Sequence, residues 1–184
     1  ACAHAYAHIL YKGLLFMGAG CLLYATGTQK LTELGGVAYR LPWVMFCYMI
    51  AAVSISGFPL FNGFISKTMT ITGAAEAHHL WLTLGMEVAA VGTFLSVGIK
   101  LPYFAFFYKP DYTKEIKPIP GNMYLAMGIA SFLCFIIGVV PNLLYQLLPF
   151  PVEYVPYTPW HVLQTLLLLS FTGLAFYLMR HVIE

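Results

Sequence analysis

Charge is what this sequence has least of. Nine Lys or Arg and seven Asp or Glu make up 9% of its 184 residues, where a soluble domain carries about a quarter. With 60% hydrophobic residues, that scarcity excludes an ordinary soluble domain and indicates a multi-span membrane protein. The basic residues are scattered and the net charge is only +2, so no concentrated basic face exists for nucleic acid. Cys2, Cys21, Cys47 and Cys134 stand singly in apolar surroundings, without a CxxC pair or histidines at zinc spacing. They read as small buried hydrophobes, not as metal ligands. No cofactor motif is present. The chain opens on an apolar helical run with no initiator Met, basic leader or cleavage site, which is not a signal-peptide pattern. The expectation is a fragment.

What charge there is gathers in telling places. The opening run carries His4, His8 and Lys12 at a spacing of four, which on a helix forms one polar stripe. Ionisable groups on a membrane helix are costly, and they persist where they face a bundle interior or a hydrated path. Histidine titrates near neutral pH and can pass protons. The stripe therefore predicts part of a proton or cation pathway.

Spans of about 20 apolar residues are predicted at about 3–25, 42–57 continuing as 60–75, 79–108, 122–147 and 160–180. This is an all-α bundle of about five spans forming a single membrane domain, residues 1–184. Pro42 is well placed to open a helix. Gly57, Pro59 and Gly63 interrupt the second apolar run, and irregular backbone at membrane depth is tolerated only where protein or a cavity surrounds it. Pro102 cannot donate a backbone hydrogen bond, so a kink or break is expected just after Lys100. Broken helices with a charge at the break recur in ion transporters.

Lys12 and Lys100 are the leading pathway candidates, with His8 and then His4 beside Lys12. Glu87 lies thirteen residues before Lys100, about 20 Å along a regular helix, so Lys100 must find its partner on another helix. Glu87 reads equally as a path residue or as a packing charge. Lys67, closing the Gly/Pro/Asn interruption, reads as a structural anchor near a membrane surface. His78, His79 and His161 begin spans and read as interfacial.

Several stretches together resemble a known family: His8-Ile-Leu-Tyr-Lys12-Gly-Leu-Leu-Phe-Met-Gly-Ala-Gly, Thr26-Gly-Thr, Leu34-Gly-Gly, Leu41-Pro, and Ser54-Ile-Ser-Gly-Phe-Pro-Leu-Phe-Asn-Gly-Phe-Ile-Ser-Lys67. They are similar to the antiporter-like membrane subunits of respiratory complex I, membrane-bound hydrogenases and multisubunit Na⁺/H⁺ antiporters, the D-type component of the antiporters being the nearest. The likeness is to the C-terminal half alone and loosens beyond Glu87. It implies inverted five-helix repeats, each with a broken helix, joined by a central axis of Lys, His and Glu. On that match His8 and Lys12 belong to the axis and Lys100 to the broken helix, while the first-half Glu and Lys of the family have no counterpart here.

The resemblance implies a subunit that conducts protons, or exchanges H⁺ for Na⁺, among other membrane subunits in a bacterial or archaeal plasma membrane. It needs no cofactor of its own; any redox chemistry would belong to partner subunits. Two rivals stay open: a span bundle that only scaffolds such a complex, and a membrane haem carrier using His8. Lys30, Arg40, Lys109, Lys114, Lys117 and Arg180 share one predicted side, which the positive-inside rule makes cytoplasmic. The family topology places it outside.

Overall fold

The computed structural model describes residues 2–108, 112 and 115–183. The described residues form helices and connecting turns, with no strand among them. The helices are α1 (Cys2–Thr26), α2 (Pro42–Ser56), α3 (Asn62–Glu76), α4 (Leu80–Phe107), α5 (Gly121–Val139), a single turn α6 (Asn142–Tyr145) and α7 (Pro159–Ile183). Among the described residues α1, α4, α5 and α7 (to Arg180) are long and apolar enough to cross a membrane, and α2 is a shorter apolar helix.

The expected interruption after α2 is built as the local sequence dictates. Gly57 takes a left-handed φ of 83°, and the N–H groups of Gly57 and Phe58 bond back to the carbonyls of Ser54 and Val53. This is a Schellman helix end, a glycine device, with Pro59 following to prevent continuation. The interruption at Lys100–Pro102 takes another form. The helical path runs unbroken from Leu80 to Phe107, but its ladder widens to π turns over Phe94–Lys100 and Tyr103–Phe107. Wide turns accommodate a proline that can neither donate to nor tolerate a carbonyl four residues back. Pro141 ends α5 earlier than the sequence predicts, with only the turn α6 beyond it.

Helix α1 packs chiefly against α2 and α5. Its buried seam is Ala3, Ala7, Tyr11, Leu14, Gly18, Cys21 and Ala25, an alternation of three- and four-residue steps that keeps one face on its neighbours. In lipid no hydrophobic gain accompanies helix association, so close packing through small residues supplies much of it. A Cβ on Gly18 would lie 2.6 Å from the Tyr48 ring. A Cβ on Gly63 would overlap the Ser54 carbonyl, and one on Gly138 would overlap the backbone of Leu60 and Phe61. The interrupted segment is thus wedged between α2 and α5 backbone.

The connector before α7 secures this wedge. Tyr157 accepts a hydrogen bond from the Leu60 N–H at 3.2 Å and donates to the Gly138 carbonyl, while its ring stacks on Phe64. Burial pushes the Tyr157 phenol above its ordinary range, against an opposing pull from the Leu60 N–H, so the hydroxyl keeps the proton it donates. Leu60 holds a φ of 76°, uncommon for a residue with a side chain. Tyr157→Phe should lower stability by about 1–3 kcal/mol, because two backbone groups lose their partner. Thermal unfolding of the purified assembly reads this; an unchanged midpoint would show that the hydroxyl holds nothing.

Candidate functional site

The wedge aims one side chain inward. Helix α3 starts at Asn62, so Lys67 falls in its second turn instead of at an end. Asn62 is fully buried; it accepts a 2.5 Å hydrogen bond from the Ser54 hydroxyl, and its amide lies 3.5 Å from the Ala7 carbonyl. These bonds tie α3 to α2 and α1 and set its rotation. The Lys67 stem then runs past Gly57, whose Cβ position lies 3.1 Å from its Cδ and 3.9 Å from its Nζ. Its amine therefore lies at the C-terminal end of α2, where the helix dipole favours a cation. The Nζ is buried and donates to no acceptor among the described residues.

This corrects the expectation for Lys67. The sequence suggested an anchor near a membrane surface, but the turn at Gly57 folds the segment back so that the lysine enters the bundle.

Two cavities meet at Lys67. One, of about 310 Å³, lies between α3, α4 and α7 and is lined by Lys67, Thr72, Glu87, His161 and Gln164 among others. The second, of about 220 Å³, lies between α1, α3 and α4 and is lined by His4, Lys67, Thr70 and Thr93 among others. Both have room for water and a few polar side chains in mainly apolar walls to bind it. Glu87 accepts a 2.7 Å hydrogen bond from the Gln164 amide and lines the larger cavity together with Lys67. The two do not close to ion-pair distance across the cavity. On the other side, His4 Nδ1 lies 3.2 Å from the Ser66 hydroxyl.

The other predicted residues are placed differently. His8 is exposed, with its ring 6.0 Å from that of His4 and its Nδ1 3.2 Å from the Tyr11 hydroxyl. Lys12 is half-buried, its amine 5.5 Å from the centre of the Phe16 ring. Lys100 is exposed at the end of the first π stretch. Neither Lys12 nor Lys100 lines the two cavities around Lys67. The physical reason lies in helix geometry. At 3.6 residues per turn, each four-residue step drifts about 40° around the axis, so a stripe that begins against α3 at His4 has turned away from it by Lys12. The buried seam corrects this drift with three-residue steps; the polar stripe does not.

Lys67, Gln164 and His161 line the larger cavity and were not among the pathway candidates drawn from the sequence. Gln164 had a usable signal, being a lone amide in the Leu-rich last helix. Lys67 had a weaker one, lying five residues inside its helix instead of at its end. Among the described residues no cluster of His, Cys, Asp and Glu is arranged to hold a metal ion.

Residues 1–96 match the transmembrane family described as NADH:quinone oxidoreductase/Mrp antiporter. Similar proteins include an uncharacterized protein of Methanocaldococcus jannaschii, 32% identical over 145 residues, covering 76% of this chain and 30% of that protein. Hydrogenase-4 component B of Escherichia coli is 29% identical over 146 residues, 73% of this chain and 22% of its own length. The A-type component of a Na⁺/H⁺ antiporter of Alkalihalophilus pseudofirmus is 30% identical over 153 residues, 77% of this chain and 19% of its own. The chain thus spans less than a third of the length of each of these relatives.

Proposed function

The chain belongs to the NADH:quinone oxidoreductase/Mrp antiporter family of transmembrane proteins, and from that premise we propose that it conducts protons, or exchanges H⁺ for Na⁺, within a larger membrane complex. The observation that carries this reading is the buried amine of Lys67, set between two cavities whose mainly apolar walls carry a few polar side chains. One cavity leads toward His4 on α1, the other toward Glu87 and His161. A carrier needs such two-sided access. Its amine can pick up a proton on one side and release it on the other as the charge of Glu87 changes.

The single five-span domain of the sequence reading is part of this proposal, with α2 and α3 as one interrupted span. His4 lines the second cavity, while His8 and Lys12 follow on α1, one helical turn per step, outside both cavities. Lys100 is the outlying member, on the exposed side of α4. The driving reaction, redox or a cation gradient, belongs to partner subunits, and the setting is a bacterial or archaeal plasma membrane. The names of the similar hydrogenase and antiporter components support such an assembly.

The test is ion flux in sealed vesicles holding the parent complex. Glu87→Gln keeps the size of the side chain and can still meet Gln164, but it removes the charge. Flux should fall by about tenfold or more, at or below the usual contribution of a positioned acid or base. Flux at the wild-type rate would remove Glu87 from the path. Lys12→Ala and Lys100→Ala, run in parallel, should have smaller effects than Glu87→Gln. Equal or larger losses there would return the axis to the residues the sequence favoured.

A further inference from the structure

We propose that His161 is the proton-transfer residue linking the Lys67–Glu87 cavity to the end of the bundle where α3 finishes and α4 and α7 begin. This rests on reading that cavity as an ion path.

The geometry starts at the backbone. Thr158 caps α7, its hydroxyl accepting the His161 N–H at 3.2 Å, the usual cap bond to the third helical residue. Pro159 stands at the first helical position, where its fixed φ suits the helix. These fix the direction of His161. Gln164, which binds Glu87, follows one helical turn deeper. His161 therefore stands between Glu87 and the bundle end, on the wall of the same cavity.

Its two nitrogens face different partners. Nδ1 lies 3.2 Å from the Pro156 carbonyl, which can only accept, and 3.5 Å from the Tyr154 hydroxyl. In the neutral ring Nδ1 therefore carries the hydrogen, and Nε2 is left as an acceptor. Nε2 lies 3.4 Å from the Thr72 hydroxyl, which itself lies 3.3 Å from the Tyr154 hydroxyl. Tyr154 is held in turn, since its carbonyl accepts a 3.1 Å bond from Tyr145, and its ring stacks on that of His161.

A proton arriving from the cavity adds at Nε2 and gives imidazolium. Transfer of the Nδ1 proton to water at the mouth beside Tyr154 restores a neutral ring, and rotation or reverse passage resets it. Proton number balances and no electron moves. The charged and titratable groups facing this residue are Lys67 from α3, Glu87 from α4 and Tyr154 from the connector. Glu76, one turn beyond Thr72, and Glu153, beside Tyr154, are exposed at the mouth.

The experiment compares three variants for proton flux in vesicles holding the parent complex. His161→Gln retains hydrogen bonding to Thr72 and Tyr154 but cannot carry a proton; flux should fall by about tenfold or more. His161→Glu restores a protonatable group and should recover most of that loss. Thr72→Val leaves the histidine in place and cuts the hydroxyl beside Nε2; it should lower flux even if His161→Gln fails to assemble. Wild-type flux in His161→Gln overturns the proposal, as does a His161→Glu variant no faster than His161→Gln, which marks a structural role. A Lys67→Met control separates the two claims. If Lys67→Met is dead and His161→Gln is normal, the path stands and its exit lies elsewhere. If Lys67→Met conducts normally, the path reading itself fails.

Discussion

Lys67→Met is expected to lower ion flux through the assembled complex on the order of 10²-fold, within the range ascribed to a positioned proton-transfer group. Methionine fills a similar volume and packs in irregular apolar gaps, so assembly should survive while the amine is lost. The more telling variant is Lys67→Arg. It keeps the positive charge, but a guanidinium does not release its proton in a protein. If Lys67 carries protons, Lys67→Arg should be as slow as Lys67→Met. If it is a fixed charge opposite Glu87, Lys67→Arg should run near the wild-type rate, and the carrier role would be lost. Flux in sealed vesicles, normalised to assembled complex, distinguishes these outcomes.

Gly63→Ala should cost at least about 3 kcal/mol, at the upper end of what overpacking does. The added methyl would occupy the place of the Ser54 carbonyl. That carbonyl also accepts the Gly57 N–H of the helix end, so α2 and α3 would have to part where the chain reverses. Loss of the assembled complex, or a large drop in its thermal midpoint, is the expected result. Gly73→Ala on the same helix is the control, because nothing lies within 4 Å of its Cβ position, and it should be neutral or slightly stabilising through better helix propensity. A Gly63→Ala complex as stable as Gly73→Ala would refute the close approach.

Much of the fold was legible because its signals are local. Pro42 opens α2, Gly57 and Pro59 close it, and Pro102 widens α4 into π turns, each through its own backbone. The site was legible only in part. His4 and Glu87 both line cavities that meet at Lys67, yet the sequence linked neither to that lysine and assigned it to a surface. Lys12 and Lys100 looked stronger because each sits in a long apolar run, but length of run does not say which face a neighbour covers.

The sequence by itself determined that this chain is a helical membrane protein of an antiporter-like family, where the helix opened by Pro42 ends, and which ionisable residues it carries. Composition, helix length and the backbone limits of glycine and proline act within a few residues, so they can be read along the chain. Only the tertiary structure decided which charge is buried. Lys67 is enclosed because Asn62 reaches Ala7 across 55 residues, Glu87 meets Gln164 across 77, and Tyr157 ties Leu60 down across 97. Those contacts arise between helices, and the rotation of each helix that they set is not encoded in the spacing of any one of them.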